Sequence, residues 1–212
     1  VPCNNPDGIR FSTALGYLAE SRRRLNLTLR PNCNAHRILF DGKKAVGVEV
    51  ESGGEKFVVE SNEMILSTGA IGSPQLLLLS GVGPADHMNS LGIPIVHDLH
   101  GVGKNLSDHP FIFLTASVKD EVKLVELAPR LQVALRYTAS GSQYTNDMMM
   151  LMHSFSTDRY NSLRNNHRES HLANPCIQIN VALYLAESRG EVTLTSTDPS
   201  VQPFLDFRLL ES

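Results

Sequence analysis

Apolar residues recur along the chain with two periods, and the first one is helical. Phe11, Ala14, Leu15 and Leu18 follow the i, i+3, i+4, i+7 spacing that places apolar side chains on one side of a helix. The spacing predicts an amphipathic helix over about residues 10–23.

A period of two follows and predicts strands. Leu27 and Leu29 alternate, and the apolar run from Ala35 to Phe40 ends at Asp41-Gly42, a dipeptide typical of hairpin turns. Further strand signals are Val46, Val48 and Val50 on one face of a returning strand, and Lys56 to Glu60 after the Gly53-Gly54 turn. We therefore expect a small strand excursion at residues 26–60.

A strand-to-helix connection is predicted next. Met64–Thr68 has the composition of a buried strand, and Ser73-Pro74 supplies a helix cap with proline at the first helical position. The pattern predicts a helix over about 74–80 that stops at Gly81, and a second helix between Pro84 and Gly92. Residues 93–118 are expected to form loops and short strands.

The second half has a different character. Arg130 to Thr138 predicts a helix, and residues 139–175 are polar and irregular. Ile177, Ile179, Val181 and Leu183 alternate, as do Val192 and Leu194, which is typical of antiparallel sheet. The fold class predicted from these elements is α/β, with an antiparallel sheet in the second half.

Composition narrows the class of partner. The 212 residues carry a formal net charge of −3, and basic residues are scattered, so there is no positive surface for nucleic acid. Three widely separated cysteines indicate neither a disulfide framework nor a zinc site and favour a reducing, cytoplasmic compartment. No run reaches the roughly 18 apolar residues of a membrane span.

The small-residue turn at Gly69–Gly72 is the first candidate site. A strand, a glycine turn and a helix N-terminus form a site for phosphate or ribose oxygens, because the N–H groups of the first helical turn are unpaired. The turn is not G-x-G-x-x-G, and neither Gly81-Val-Gly83 nor Gly101-Val-Gly103 completes that fingerprint. Cofactor contact and a tight crossover in a sheet both remain open from spacing alone.

Histidines and methionines offer weaker candidates. His97, His100 and His109 lie near Asp98 and Asp108, but their spacing matches no known metal site, so no metal is predicted. Met148–Met150 either line a substrate cavity or fill a core.

Five blocks of sequence carry a family resemblance. They are DGIRFSTALGYL (7–18), NLTLRPNCNAHRILFDGKKAVGVEV (26–50), EMILSTGAIGSPQLLLLSGVGP (63–84), GVGKNLSDHP (101–110) and SRGEVTLTSTDPSVQPFLDFRLL (188–210). In content and order they resemble the glucose-methanol-choline (GMC) flavin oxidoreductases, and within them the choline-dehydrogenase-like alcohol dehydrogenases. The block at 69–83 is similar to one of the family's two signature patterns.

The resemblance implies FAD as cofactor and seven contact residues. Thr68, Gly69 and Ala70 would lie against the adenosine side of FAD, and the backbone of Ala35 would meet the adenine. Asn105, Asp108 and His109 belong to a stretch that the family places near the flavin; Ser107 stands where glutamine is common.

The resemblance also implies a domain plan. Residues 1–115 would be part of a Rossmann-like FAD-binding domain, and residues 116–212 part of a substrate-binding domain. The family's G-x-G-x-x-G loop and catalytic histidine would lie before residue 1 and after residue 212. No catalytic residue is therefore assigned, and the chain by itself is expected to be inactive.

The implied activity is oxidation of the CH–OH group of a small alcohol. Hydride would pass from the alcohol to the flavin, giving an aldehyde or ketone, and oxygen, a quinone or another carrier would reoxidise the flavin. The alternative from another class is a non-catalytic, truncated nucleotide-binding or interaction module.

Overall fold

The computed structural model describes residues 6, 10–119, 121–124, 131–155 and 176–211. The chain divides into two units, one formed by residues 29–108 and 187–212 and the other by residues 1–28 and 109–186. The helices are a π-helical turn at Ala14–Leu18, α1 Ala19–Ser21, α2 Gly69–Leu79 and α3 Ala85–Ser90. The strands are β1 Asn34–Asp41, β2 Lys44–Ser52, β3 Glu55–Glu60, β4 Val82–Gly83, β5 His97–Asp98, β6 Lys104–Leu106, β7 Phe111–Ser117, β8 Leu131–Tyr137, β9 Met148–Phe155, β10 Cys176–Leu183, β11 Gly190–Thr193 and β12 Phe204–Asp206.

The unit of residues 29–108 and 187–212 begins with an antiparallel meander. Strands β1, β2 and β3 pair in that order, and the Asp41-Gly42 turn joins the first two. Ile38 and Val50 are buried. The strands predicted between residues 26 and 60 are therefore confirmed over residues 34–60.

Helices α2 and α3 pack around the core of the same unit. Leu78, Met88, Ile93 and Leu194 form its buried cluster, with Leu79, Leu91 and Val102 packed against it. Gly81, with φ +83°, ends α2 in the left-handed conformation that glycine adopts readily. The stop at Gly81 and the helix between Pro84 and Gly92 are confirmed.

Ser80 joins the meander to this core. Its hydroxyl accepts a hydrogen bond from the backbone N–H of Ile38 at 2.8 Å and donates to the carbonyl oxygen of Leu76 at 2.5 Å. The serine is only 7% exposed. One buried hydroxyl therefore links β1 to the C-terminal end of α2.

Replacing Ser80 with alanine should destabilise this unit. The Ile38 N–H would lose its acceptor in a buried setting, at a cost of about 1–3 kcal/mol in the free energy of unfolding, measurable by urea titration. The control is Ser90→Ala, which removes an exposed hydroxyl that donates to the His87 carbonyl and should change stability by less than about 0.5 kcal/mol. Equal stability of the two variants would contradict the role of Ser80.

The unit of residues 1–28 and 109–186 contains a four-stranded antiparallel sheet. Its order is β7-β10-β9-β8, so β10 and β9 are central. The register places a set of aliphatic side chains on one face, and several of them are exposed: Ile112, Leu114, Val133, Leu135 and Met152. On the other face of β10, Cys176, Gln178 and Ala182 are buried.

Two predictions in the second half are corrected by this sheet. The predicted helix from Arg130 to Thr138 is wrong, because residues 131–137 form β8. Leu131, Val133 and Leu135 alternate with period two, and pairing with β9 selects the strand over a helix. Residues 148–155 of the segment expected to be irregular form β9; residues 156–175 lie outside the described residues. The strand at 177–183 and the antiparallel character are confirmed.

Three other predictions are wrong or only partly right. Met64–Thr68 is not a strand, and Ile65 is 84% exposed, since no described strand lies beside it to complete the hydrogen bonding. Leu27 and Leu29 lie in a turn and a loop and pair with no strand of the described sheets. The helix over residues 10–23 is confirmed over residues 14–21 only, with a π-helical start.

Candidate functional site

The glycine turn at residues 68–70 is the start of α2. The helix begins at Gly69, five residues before Pro74, and Thr68 is its cap, so the predicted Ser73-Pro74 cap is wrong. Gly69 has φ +86°, and a Cβ added there would meet no atom within 4 Å. The backbone at Gly69 is thus left-handed, a conformation that favours glycine, and the space beside it is open.

The first turn of α2 presents several polar groups near that opening. Its first N–H groups have no intrahelical acceptor and lie at the positive end of the helix dipole. Pro74 has no N–H, so the carbonyl oxygen of Ala70 loses its usual donor four residues along. The Thr68 and Ser73 hydroxyls are hydrogen-bonded at 3.0 Å and close the turn. The turn therefore offers donors, acceptors and space to a ligand that approaches the backbone.

Ala35 lies on β1 at an irregularity of the sheet. It pairs with Val50, and the register shifts between Ala35 and Arg37, so His36 is the extra residue. His36 Nε2 lies 3.3 Å from a carboxylate oxygen of Glu51. The residues on both sides of Ala35 help line an open polar cleft of about 690 Å³, formed by Asn32, Asn34, His36, Glu51, Ser52, Gly53, Lys56, Thr197, Asp198, Pro199 and Ser200.

Asn105 has a left-handed backbone conformation on β6. Its φ is +62°, which few non-glycine residues other than asparagine adopt readily. The preceding residues are fixed by β11, since the Gly103 carbonyl oxygen accepts a hydrogen bond from the Val192 N–H at 2.7 Å. Leu106 is buried and pairs with Gly190. Both sides of Asn105 are therefore anchored to one neighbouring strand.

Glu191 on β11 is the centre of an ion cluster beside Asn105. Its carboxylate lies 2.6 Å from Lys104 Nζ and 3.3 Å from Arg208 Nη2, and Arg208 also pairs with Asp206. The hydrogen bond from Lys104 lowers the pKa of Glu191, aided by the charges of Lys104 and Arg208. The hydrogen bond to Asp206 raises the pKa of Arg208. The cluster ties β6, β11 and the residues after β12 together.

The lowered pKa of Glu191 predicts acid-sensitive stability. A carboxylate whose pKa is depressed by folding stabilises the folded state above its unfolded value, near 4.5, and loses that contribution as pH falls through the folded pKa. Glu191→Gln should therefore be less stable than the parent at neutral pH, by up to about 1 kcal/mol for a partly exposed pair. The difference should shrink in urea titrations below pH 4.5.

Glu55→Gln, at an exposed position on β3, is the matched control and should be as stable as the parent, within about 0.5 kcal/mol, at neutral pH. If Glu191→Gln were less stable than the parent by the same amount at neutral pH and below pH 4.5, the explanation by the charge of Glu191 would be contradicted.

Asp108 and His109 stand on either side of the boundary between the two units. The His109 ring stacks on the Tyr184 ring, with centroids 4.2 Å apart and planes within 8°. Tyr184 was not singled out from the sequence. Extending the register in which Ala182 pairs with Phe111 places Tyr184 opposite His109, a relation that no local pattern reveals.

The predicted residues thus fall into two groups. Ala35, Thr68, Gly69, Ala70, Asn105 and Asp108 lie in one unit, and His109 begins a segment of the other. Among the described residues, no group of three or more histidine, cysteine or acidic side chains could hold a metal ion; His100 lies 3.6 Å from Asp98. The described part of the chain likewise contains no helix with the length and apolar character to span a membrane.

Solved structures share this fold. A formate oxidase of Aspergillus oryzae superposes with a TM-score of 0.79 at 20% identity, covering 95% of this chain and 42% of the oxidase. The pyridoxine 4-oxidase from Mesorbium loti gives 0.69 at 21% identity, covering 95% of this chain and 39% of that enzyme. At these identities the comparison shows a shared fold, which is the mixed α/β class predicted from the sequence.

Sequence comparison shows the family. The model described as GMC oxidoreductase matches residues 1–111. An uncharacterized GMC-type oxidoreductase of Rhodococcus erythropolis is 31% identical over 100% of this chain, which spans 40% of that relative's length. An oxygen-dependent choline dehydrogenase of Pectobacterium carotovorum is 48% identical over 120 residues, 56% of this chain and 22% of that enzyme. The chain therefore belongs to the GMC oxidoreductase family.

Proposed function

We propose that the protein containing this chain is an FAD-dependent oxidoreductase that oxidises the CH–OH group of a small alcohol to an aldehyde or ketone. The observation that carries the proposal is the left-handed, open backbone at Gly69, at the start of an eleven-residue helix. A bound dinucleotide is a body that needs such an approach to the backbone. Family membership supplies the chemical class.

The proposed binding residues have separate tasks. Thr68, Gly69 and Ala70 contact the adenosine side of FAD, and the half-buried Ala35 presents its backbone to the adenine. Asn105, Asp108 and His109 lie toward the flavin, and the anchoring of β6 fixes the backbone of Asn105 in advance. When bound, FAD would supply the hydride acceptor, while these residues hold and orient it.

The domain plan is part of the proposal. Residues 1–115 contribute to FAD binding, and residues 116–212 contribute to the substrate side, where β8, β9 and β10 of the antiparallel sheet provide a surface. The two compact units of the structure do not coincide with these two segments, because β11 and β12 belong to the same unit as residues 29–108. The assignment of binding roles to the two segments stays a prediction.

The proposed substrate class is a choline-like alcohol. Support comes from the 48% identity, over 56% of this chain, to a relative named oxygen-dependent choline dehydrogenase. That name also makes oxygen one candidate acceptor; a quinone or another carrier is the alternative.

A flavin-reduction experiment tests the function. The full-length protein should purify with, or take up, FAD, and under anaerobic conditions choline should bleach the visible flavin band. Aryl and short aliphatic alcohols tested in the same way define the substrate class. A protein that binds FAD but is reduced by no alcohol would overturn the proposed activity, and one that binds no FAD would favour the non-catalytic module.

A further inference from the structure

His109 is held flat against an aromatic ring. Its imidazole and the phenol ring of Tyr184 are parallel within 8° at a centroid distance of 4.2 Å. The pairing of β7 with β10 continues beyond its last paired residues, since the Leu183 N–H donates to the Pro110 carbonyl oxygen at 2.9 Å. The strands themselves therefore bring the two rings together.

Tyr184 is in turn fixed from a second direction. Its N–H donates to the carbonyl oxygen of Asp147 at 2.6 Å, and the Arg136 guanidinium carbon lies 4.9 Å from the centre of its ring. Asp147 is only 4% exposed, and its carboxylate accepts the Ala139 N–H at 2.9 Å, which lowers the pKa of Asp147. The β8–β9 hairpin thus holds Tyr184 through both its backbone and its ring.

We propose that Tyr184 is a positioning residue that sets the ring plane of His109 toward the flavin. The hydrogen-bonding nitrogens of an imidazole lie in its ring plane, so a stack that fixes the plane also fixes the directions in which they donate or accept. The inference rests on the proposed function, because the place of His109 near the flavin comes from the family resemblance. Arg136 supports the stack by a cation–π contact with Tyr184.

The stack requires a flat ring at position 184, so variants that keep or remove that ring test it. Tyr184→Phe keeps the aromatic face and removes the hydroxyl, whereas Tyr184→Leu removes the face and keeps an apolar side chain. Tyr17→Leu is the control, because Tyr17 is 74% exposed in the same unit. If Tyr184→Leu does not fold, as judged by circular dichroism, Tyr184→Met replaces it.

The first measurement reports on the stack without flavin. Diethyl pyrocarbonate modifies accessible imidazole nitrogens, and peptide mass mapping of the full-length protein gives the rate at His109. Tyr184→Leu should react faster than the parent, and Tyr184→Phe and Tyr17→Leu should react at the parental rate. Equal rates in all four proteins would overturn the proposal.

The second measurement reports on the flavin. Tyr184→Leu should weaken FAD binding by about threefold to tenfold, the size expected when one aromatic pair is lost, and should shift the visible flavin spectrum. Tyr184→Phe should retain the FAD affinity and the flavin spectrum of the parent. Faster labelling of His109 with unchanged flavin affinity and spectrum would overturn the positioning role. Absence of FAD binding by the parent protein would instead refute the proposed function, and the two failures are therefore distinguishable.

Discussion

Gly69→Val is expected to weaken FAD binding by the full-length protein by at least about tenfold, or about 1.4 kcal/mol. Gly69 has φ +86°, a conformation that a β-branched residue adopts only with strain of about 1–2 kcal/mol. The valine side chain would also fill the open space at the start of α2, into which we propose that the cofactor fits. Fluorescence titration of the apoprotein with FAD measures the affinity.

Gly92→Val separates the two effects. Gly92 lies in the same unit, has φ +71°, and has no atom within 4 Å of an added Cβ. Its replacement by valine should therefore impose a similar backbone strain without affecting FAD. Equal FAD affinity of the two variants would show that the turn at Gly69 does not contact the cofactor.

Gly190→Ala is expected to destabilise the protein by about 1–3 kcal/mol or more, because the new Cβ would overlap backbone rather than a flexible side chain. It would overlap the carbonyl oxygen of Asp206 and lie 2.8 Å from the Cα of Phe207. Gly190 pairs with Leu106 on β6, so relief of the overlap would displace the strand that carries Asn105. Urea unfolding of the parent and variant measures the loss.

Gly101→Ala is the matched control for that substitution. Gly101 belongs to the same unit, and an added Cβ would meet nothing within 4 Å. The free energy of unfolding of Gly101→Ala should stay within about 0.5 kcal/mol of that of the parent. A Gly190→Ala variant as stable as Gly101→Ala would mean that β11 and β12 can separate without cost.

Local signals in the sequence predicted much of the unit formed by residues 29–108 and 187–212. The Asp41-Gly42 turn and the alternating valines of β2 define a hairpin within a few residues, and Gly81 ends α2 where expected. These features depend on backbone conformation and near neighbours, which the local sequence encodes. The family was likewise identified from blocks of sequence, and the comparisons confirm it.

Segments whose structure depends on a distant partner were predicted less well. Residues 131–137 fit either a helix or a strand in isolation, and pairing with β9 decided the outcome. Met64–Thr68 has a strand-like composition, but without a described neighbouring strand it is a loop. The apolar content of a short segment does not specify its hydrogen-bonding partner.

The candidate site shows the same division. The sequence by itself determined the family, through blocks that resemble it, and it showed the small-residue turn at Thr68–Ala70. The resemblance, and not spacing, pointed to Asn105, Asp108 and His109, whose contact with FAD stays a prediction. Only the tertiary structure decided that Ser80 links β1 to α2, that Glu191 lies beside the Asn105 segment, and that Tyr184 stacks on His109. Those contacts join residues from 42 to 87 positions apart. Strand register brings Glu191 to Lys104 and Tyr184 to His109, and the packing of α2 against β1 brings Ser80 to Ile38; no short stretch of sequence encodes either.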